Sequence, residues 1–82
     1  MPITKEAAAK FTKHEVSFDP AIGWPNAEDL YYECLICGEF VHSSENDECK
    51  CRNIYVDAAA GRAGARDEHK VRLVKITKVE DV

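Results

Sequence analysis

No apolar run in this chain approaches the roughly 20 residues that a membrane-spanning helix needs, so a helical membrane span is excluded. The N-terminal order Met1-Pro2-Ile3-Thr4-Lys5-Glu6-Ala7 lacks the basic-then-apolar pattern of a signal peptide, and a cytoplasmic location is the expectation. Glycine and proline are scarce, four and three residues respectively, which excludes collagen-like and low-complexity chains. The one glycine-spaced stretch, Ala58 to Arg66, is not followed by the Lys and Ser or Thr of a phosphate-binding loop. No histidine follows the second cysteine, as haem attachment would require; Gly38 stands there. A recognisable set of nucleophile and base is also missing, so no enzyme activity and no small-molecule substrate are expected. Asp67-Glu68-His69 reads as a solvated turn.

Aromatics are few as well: one Trp, three Phe and three Tyr in 82 residues. A domain this small has a thin core and commonly needs a staple, either a disulfide or a metal. Four cysteines are available, and they come in two close pairs. Cys34-x2-Cys37 and Cys49-x-Cys51 are separated by eleven residues. Two intervening residues let a tight turn aim both sulfurs at one point, and Gly38 permits the positive φ that such a knuckle uses. If Cys49 and Cys51 lie in an extended strand, their side chains share a face and can point at the same centre. Four thiolates make a tetrahedral zinc site with no open position for water, hence a structural one. Iron is the alternative metal for such a donor set. Disulfides are the competing reading, but a Cys49–Cys51 bridge is strained in extended backbone and a reducing compartment opposes any of them. A redox Cys34–Cys37 pair lacks the βαβ setting in which such pairs usually sit. His42 and His69 are not needed as ligands.

Around that centre the sequence predicts the following elements. Thr4 as N-cap, Glu6, three consecutive alanines and a stripe of Ile3, Ala7 and Phe11 predict a helix over residues 4–14, with Lys10 and Lys13 at its negative end. Residues 15–29 are a turn-rich loop carrying Phe18, Ile22 and Trp24, which either pack under the loop or offer anchors to a partner. Residues 30–37, 39–43 and 49–57 read as strands around the cysteine pairs, with a turn at Asn46-Asp47. Residues 58–66 form a small-residue connector, loop or short helix, that allows close approach of another segment. Residues 71–79 are β-rich, and the apolar phase changes between Leu73 and Val74, which a bulge or burial on both faces explains. Asp57 is placed to accept a hydrogen bond from Arg62, Arg66 or a backbone N–H.

The stretch from Tyr32 to Asp57 resembles small, largely uncharacterised zinc-ribbon-like proteins of bacteria and their phages. The shared positions are Cys34, Cys37, Ser43, Asp47, Cys49, Cys51, Val56 and Asp57. The resemblance spans about residues 30–66 and implies fold and metal only, since the group carries no assigned activity. It departs at Arg52, where the group usually has Gly, and at Ala58-Ala59, where it often has Gly-Gly. The second knuckle is therefore expected to be less tight.

These readings combine into a single α+β domain: helix and aromatic loop over 1–29, a zinc ribbon over 30–57, a connector and final strand over 58–82. Charge divides along the chain. Residues 1–49 hold three Lys against ten Asp or Glu, and residues 50–82 hold eight Lys or Arg against five. The acidic total, −4, argues against a generic nucleic-acid binder. A non-catalytic protein-interaction module is the leading expectation, plausibly a phage or mobile-element accessory of inhibitor-like or immunity-like action. Its candidate contact residues are Trp24, Phe18, Tyr31, Arg62 and Arg66. The alternative is nucleic-acid binding through Lys50, Arg52, Arg62, Arg66, Lys70, Arg72, Lys75 and Lys78.

Overall fold

The structure is a computed structural model that describes residues 2–79; Met1, Glu80, Asp81 and Val82, and the side chains of Lys78 and Val79, lie outside the described residues. The chain is mostly β with one short helix. The helix α1 (Lys5–Ala8) precedes β1 (Phe11–Val16), β2 (Leu30–Cys34), β3 (Phe40–His42), β4 (Asp47–Glu48), β5 (Ile54–Asp57), β6 (Arg62–Ala65) and β7 (Val71–Val79). Two antiparallel sheets form, one in the order β1-β7-β2-β3 and one in the order β4-β5-β6. Among the described residues no helix is long and apolar enough to cross a membrane.

The larger sheet is buried on both faces, and alternation along its strands decides which side chain goes where. Tyr32, opposite Val41 on one neighbour and Leu73 on the other, faces the smaller sheet. These three join Cys34, Cys49, Ile54 and Val56 in the main core. On the other face Phe40 and Val74 meet Ala8, with Ile3, Phe11 and Tyr31 at the margin. The phase change at Leu73 and Val74 is thus burial on both faces, since adjacent residues enter opposite cores. Among the described residues the register of this sheet shifts further along, opposite Thr12 and Lys13, where Thr77 is the extra residue of β7.

The helix expected over residues 4–14 is corrected to a single turn followed by a strand. Thr4 caps it as expected, its Oγ1 accepting from the Ala7 N–H at 3.2 Å. Beyond Ala9 the chain extends, and β1 pairs with β7 along its length. Helix propensity is a weak prior. A longer helix would have left the outer edge of β7 unpaired, whereas strand pairing satisfies that edge and seats Val16 against the main core. Lys13 still serves the helix end, from the strand: its Nζ donates to Ala8 O at 2.5 Å and to Phe11 O at 3.2 Å.

The aromatic loop is tied down. Ser43 is buried, its Oγ donating to Ala27 O at 2.9 Å and accepting from Ala27 N–H at 3.1 Å. The Tyr32 hydroxyl donates to Pro25 O. Burial pushes that phenol up to about 12. The connector is also more ordered than a loop: a 3-10 turn over Ala58–Ala60, then β6. Asp57 takes the backbone option, accepting from Ala60 N–H at 3.3 Å. Asn46 receives Ala58 N–H at 2.6 Å and closes the same turn. The close approach the small residues permit is real at Gly64, where a Cβ would lie 2.5 Å from the Tyr55 hydroxyl.

Candidate metal centre

The β2–β3 and β4–β5 connections bring both cysteine pairs to one point. Each first cysteine closes its turn in the same way: Cys34 N–H donates to Glu39 O at 2.8 Å, and Cys49 N–H donates to Ile54 O at 3.1 Å, five residues on in both cases. Gly38 has φ +82°, the left-handed conformation the first knuckle required. The second pair corrects the sequence reading. Cys49 and Cys51 do not lie in extended backbone; residues 50–53 turn, and Arg52 N–H bonds back to Cys49 O at 2.8 Å. Arg52 has φ +62°, at the position where the resembled group carries Gly. The turn closes over the same five-residue span as the first, and the strain is carried by a residue with a Cβ.

That strain predicts a stabilising substitution. An L side chain in the left-handed region costs about 1–2 kcal/mol relative to Gly. The Arg52–Glu48 pair at 3.6 Å is largely exposed and offsets little of it. Arg52→Gly is expected to raise stability by about 1 kcal/mol, read as a higher midpoint in urea at unchanged slope.

The four sulfurs lie within 4.8 Å of one another. Cys34 Sγ is 3.4 Å from Cys51 Sγ, and Cys49 Sγ is 3.7 Å from Cys51 Sγ. A tetrahedral zinc with bonds of about 2.3 Å sets its sulfurs about 3.8 Å apart. The spacing therefore fits a four-thiolate ion, and all four cysteines are free thiols. Backbone amides already point at the sulfurs: Ile36 and Cys37 N–H groups donate to Cys34 Sγ at 3.4 and 3.5 Å, and Ile54 N–H donates to Cys49 Sγ at 3.3 Å. Burial pushes the Cys34 thiol up, and it pushes Cys49 up to about 12. Burial acts the same way on Cys37, but N–H donation from Glu39 and Cys51, with the neighbouring thiols, outweighs it and brings Cys37 down to about 7.

Asn53 is a supporting residue that residue order offers no reason to single out. It is buried, its Oδ1 accepting from Asp67 N–H at 2.8 Å and its Nδ2 donating to Asp67 O at 3.3 Å. The same segment holds the first knuckle, because Leu35 N–H donates to Lys70 O at 2.9 Å. Residues 67–70 thus link both knuckles. Asn53→Ala leaves buried amide groups unpaired and is expected to cost about 2 kcal/mol, measured by urea denaturation of the metal-loaded protein.

His42 and His69 stand apart from the cluster. His42 receives Ser44 N–H at Nδ1 and donates from Nε2 to Glu28 O at 2.8 Å, so its ring is engaged in holding the loop. Of the candidate contact residues, Phe18 and Trp24 pack against the main core and Tyr31 against the smaller one. Trp24 and Arg62 come together in a 270 Å³ cleft with Asn26, Ser43 and Tyr55, which Phe18, Tyr31 and Arg66 do not line. Among the described residues the large apolar side chains left exposed are Ile22, Leu35, Ile36 and Tyr55. Several cations are already paired: Arg72 with Glu15 and Glu33, and Lys75 with Asp29.

No protein-family model, curated protein or solved structure matches this chain.

Proposed function

We propose that the protein is a non-catalytic binding module built on a structural zinc-ribbon-like site, acting by contact with another protein. The observation that carries this is the convergence of Cys34, Cys37, Cys49 and Cys51 within 4.8 Å. A four-thiolate shell leaves no position for a reacting water, so its contribution is rigidity. The resemblance to zinc-ribbon-like proteins of bacteria and phages supports the metal-stapled scaffold, and a rigid scaffold with no catalytic set fits an accessory role that modulates its partner. The Trp24–Arg62 cleft is the favoured contact region, because it sets an aromatic wall beside a cation on a surface the metal stiffens. Pairing of Arg52, Arg72 and Lys75 with carboxylates counts against the nucleic-acid alternative.

The test has two parts. Elemental analysis of protein purified under reducing conditions should find one zinc per chain. Affinity capture with the loaded protein should then recover a partner that is lost with Arg62→Glu, an exposed substitution that spares the core. A gel shift with DNA or RNA at low salt, surviving Arg62→Glu, would replace this reading with the nucleic-acid one.

A further inference from the structure

The four cysteine residues are unequal in exposure. Cys34 and Cys49 are 0 % and 1 % exposed, Cys37 is half-buried, and Cys51 alone is exposed. They also differ in what holds them. Cys34 and Cys49 sulfurs receive backbone N–H groups at 3.3–3.5 Å, and Cys37 receives those of Glu39 and Cys51. Such donation drains electron density from a thiolate and lowers its nucleophilicity. The contacts of Cys51 Sγ are instead with other sulfurs, Cys34 Sγ at 3.4 Å and Cys49 Sγ at 3.7 Å. Once an ion holds all four as thiolates, accessibility and electron density decide which one reacts.

We infer that Cys51 is the oxidant-sensitive ligand of the centre, the position at which a hydroperoxide opens the site and releases the metal. This rests on the metal-binding reading above. The Cys51 sulfur attacks the terminal peroxide oxygen, the O–O bond breaks, and hydroxide or alkoxide leaves, giving a sulfenic acid. The Cys34 thiolate then attacks that sulfur. The S–S bond forms, the S–O bond breaks, and hydroxide departs to take up a proton. Together the two sulfurs lose two electrons and the peroxide gains two. Two of four ligands are consumed, and the ion leaves. The Cys34–Cys51 pairing follows from the 3.4 Å distance between their sulfurs, and it takes one ligand from each knuckle, so the ion is lost while a covalent bond comes to join the two knuckles.

The experiment uses the zinc-loaded full chain and substoichiometric hydrogen peroxide, with a chromogenic chelator reporting released metal. Sulfenic acid is trapped with a dione reagent and mapped after cleavage at acidic residues, because trypsin cuts on both sides of Cys51. The expected result is a first adduct on Cys51 and, without the trap, a Cys34–Cys51 disulfide formed in step with metal release. Cys51→His keeps a four-ligand site without the reactive sulfur and is expected to slow release about tenfold. A first adduct on Cys37, or a Cys51→His protein that holds zinc and releases it at the wild-type rate, overturns the inference while leaving the zinc module standing. If Cys51→His holds no zinc, the adduct map on the wild-type chain decides alone. A wild-type chain that binds no zinc overturns both.

Discussion

Chelating the metal is expected to lower the melting temperature by roughly 20 °C or more, the largest change any single treatment should produce. Structural zinc sites in small peptides contribute on the order of 10–16 kcal/mol. In a domain of this size each kcal/mol moves the midpoint by about 4–8 °C. The structural reason is that the ligands are core residues. Cys34 and Cys49 belong to the same buried cluster as Tyr32, Val41, Ile54 and Leu73, with Cys34 on the larger sheet and Cys49 at the end of the smaller one. Without the ion these two must sit as buried neutral thiols, the state their raised pKa values describe. Core packing and the hydrogen bonds through residues 67–70 are then left to hold the knuckles together. Each tenfold rise in free zinc above the dissociation constant should add about 1.4 kcal/mol, so the midpoint should climb linearly with the logarithm of free metal. A melting curve indifferent to chelator, recorded by circular dichroism, would remove the metal from the account of this fold.

The second large effect belongs to the aromatic cluster. Tyr32 is fully buried, with Trp24 at 5.0 Å and Phe18 at 5.7 Å between ring centroids, and Phe18 and Trp24 are 5.3 Å apart. Tyr32→Ala removes the centre of this group and is expected to cost about 4 kcal/mol. Tyr32→Phe loses only the bond to Pro25 O and should cost about 1 kcal/mol. Trp24→Ala, at the half-buried rim, is expected to cost about 2 kcal/mol. Denaturant midpoints with the metal bound measure all three. The ordering matters for function. Trp24 lines the cleft with Arg62 but also packs on the core, so lost binding in Trp24→Ala is ambiguous, whereas Arg62 and the 87 % exposed Ile22 can be changed without disturbing packing. A Trp24→Ala protein as stable as wild type would free that ring for a partner.

Folding offsets part of the charge asymmetry of the sequence. The basic second half and acidic first half meet strand against strand in the larger sheet. Arg72 on β7 lies between Glu15 on β1 and Glu33 on β2, and Lys75 reaches Asp29. Pairing β7 with both neighbours was not visible from residue order, because it joins residues 37 to 68 positions apart. The same non-local pairing turned residues 11–16 from helix to strand.

What residue order determined alone is the chemistry of the centre and the local turns that build it. Four closely paired cysteines and Gly38 specify a knuckle through spacing and backbone freedom, which are properties of a few consecutive residues. The alternation of Ile54 and Val56 likewise announced a strand covered on one face, and the phase change at Leu73 and Val74 announced a bulge or burial on both faces. Tertiary structure decided the rest. It showed that Cys49-x-Cys51 is a second turn closed through Arg52, that Asn53 fastens it to residues 67–70, and that Trp24 belongs to the core as much as to the surface. Those outcomes depend on hydrogen bonds and packing between distant segments, whose free energy no local window of sequence contains.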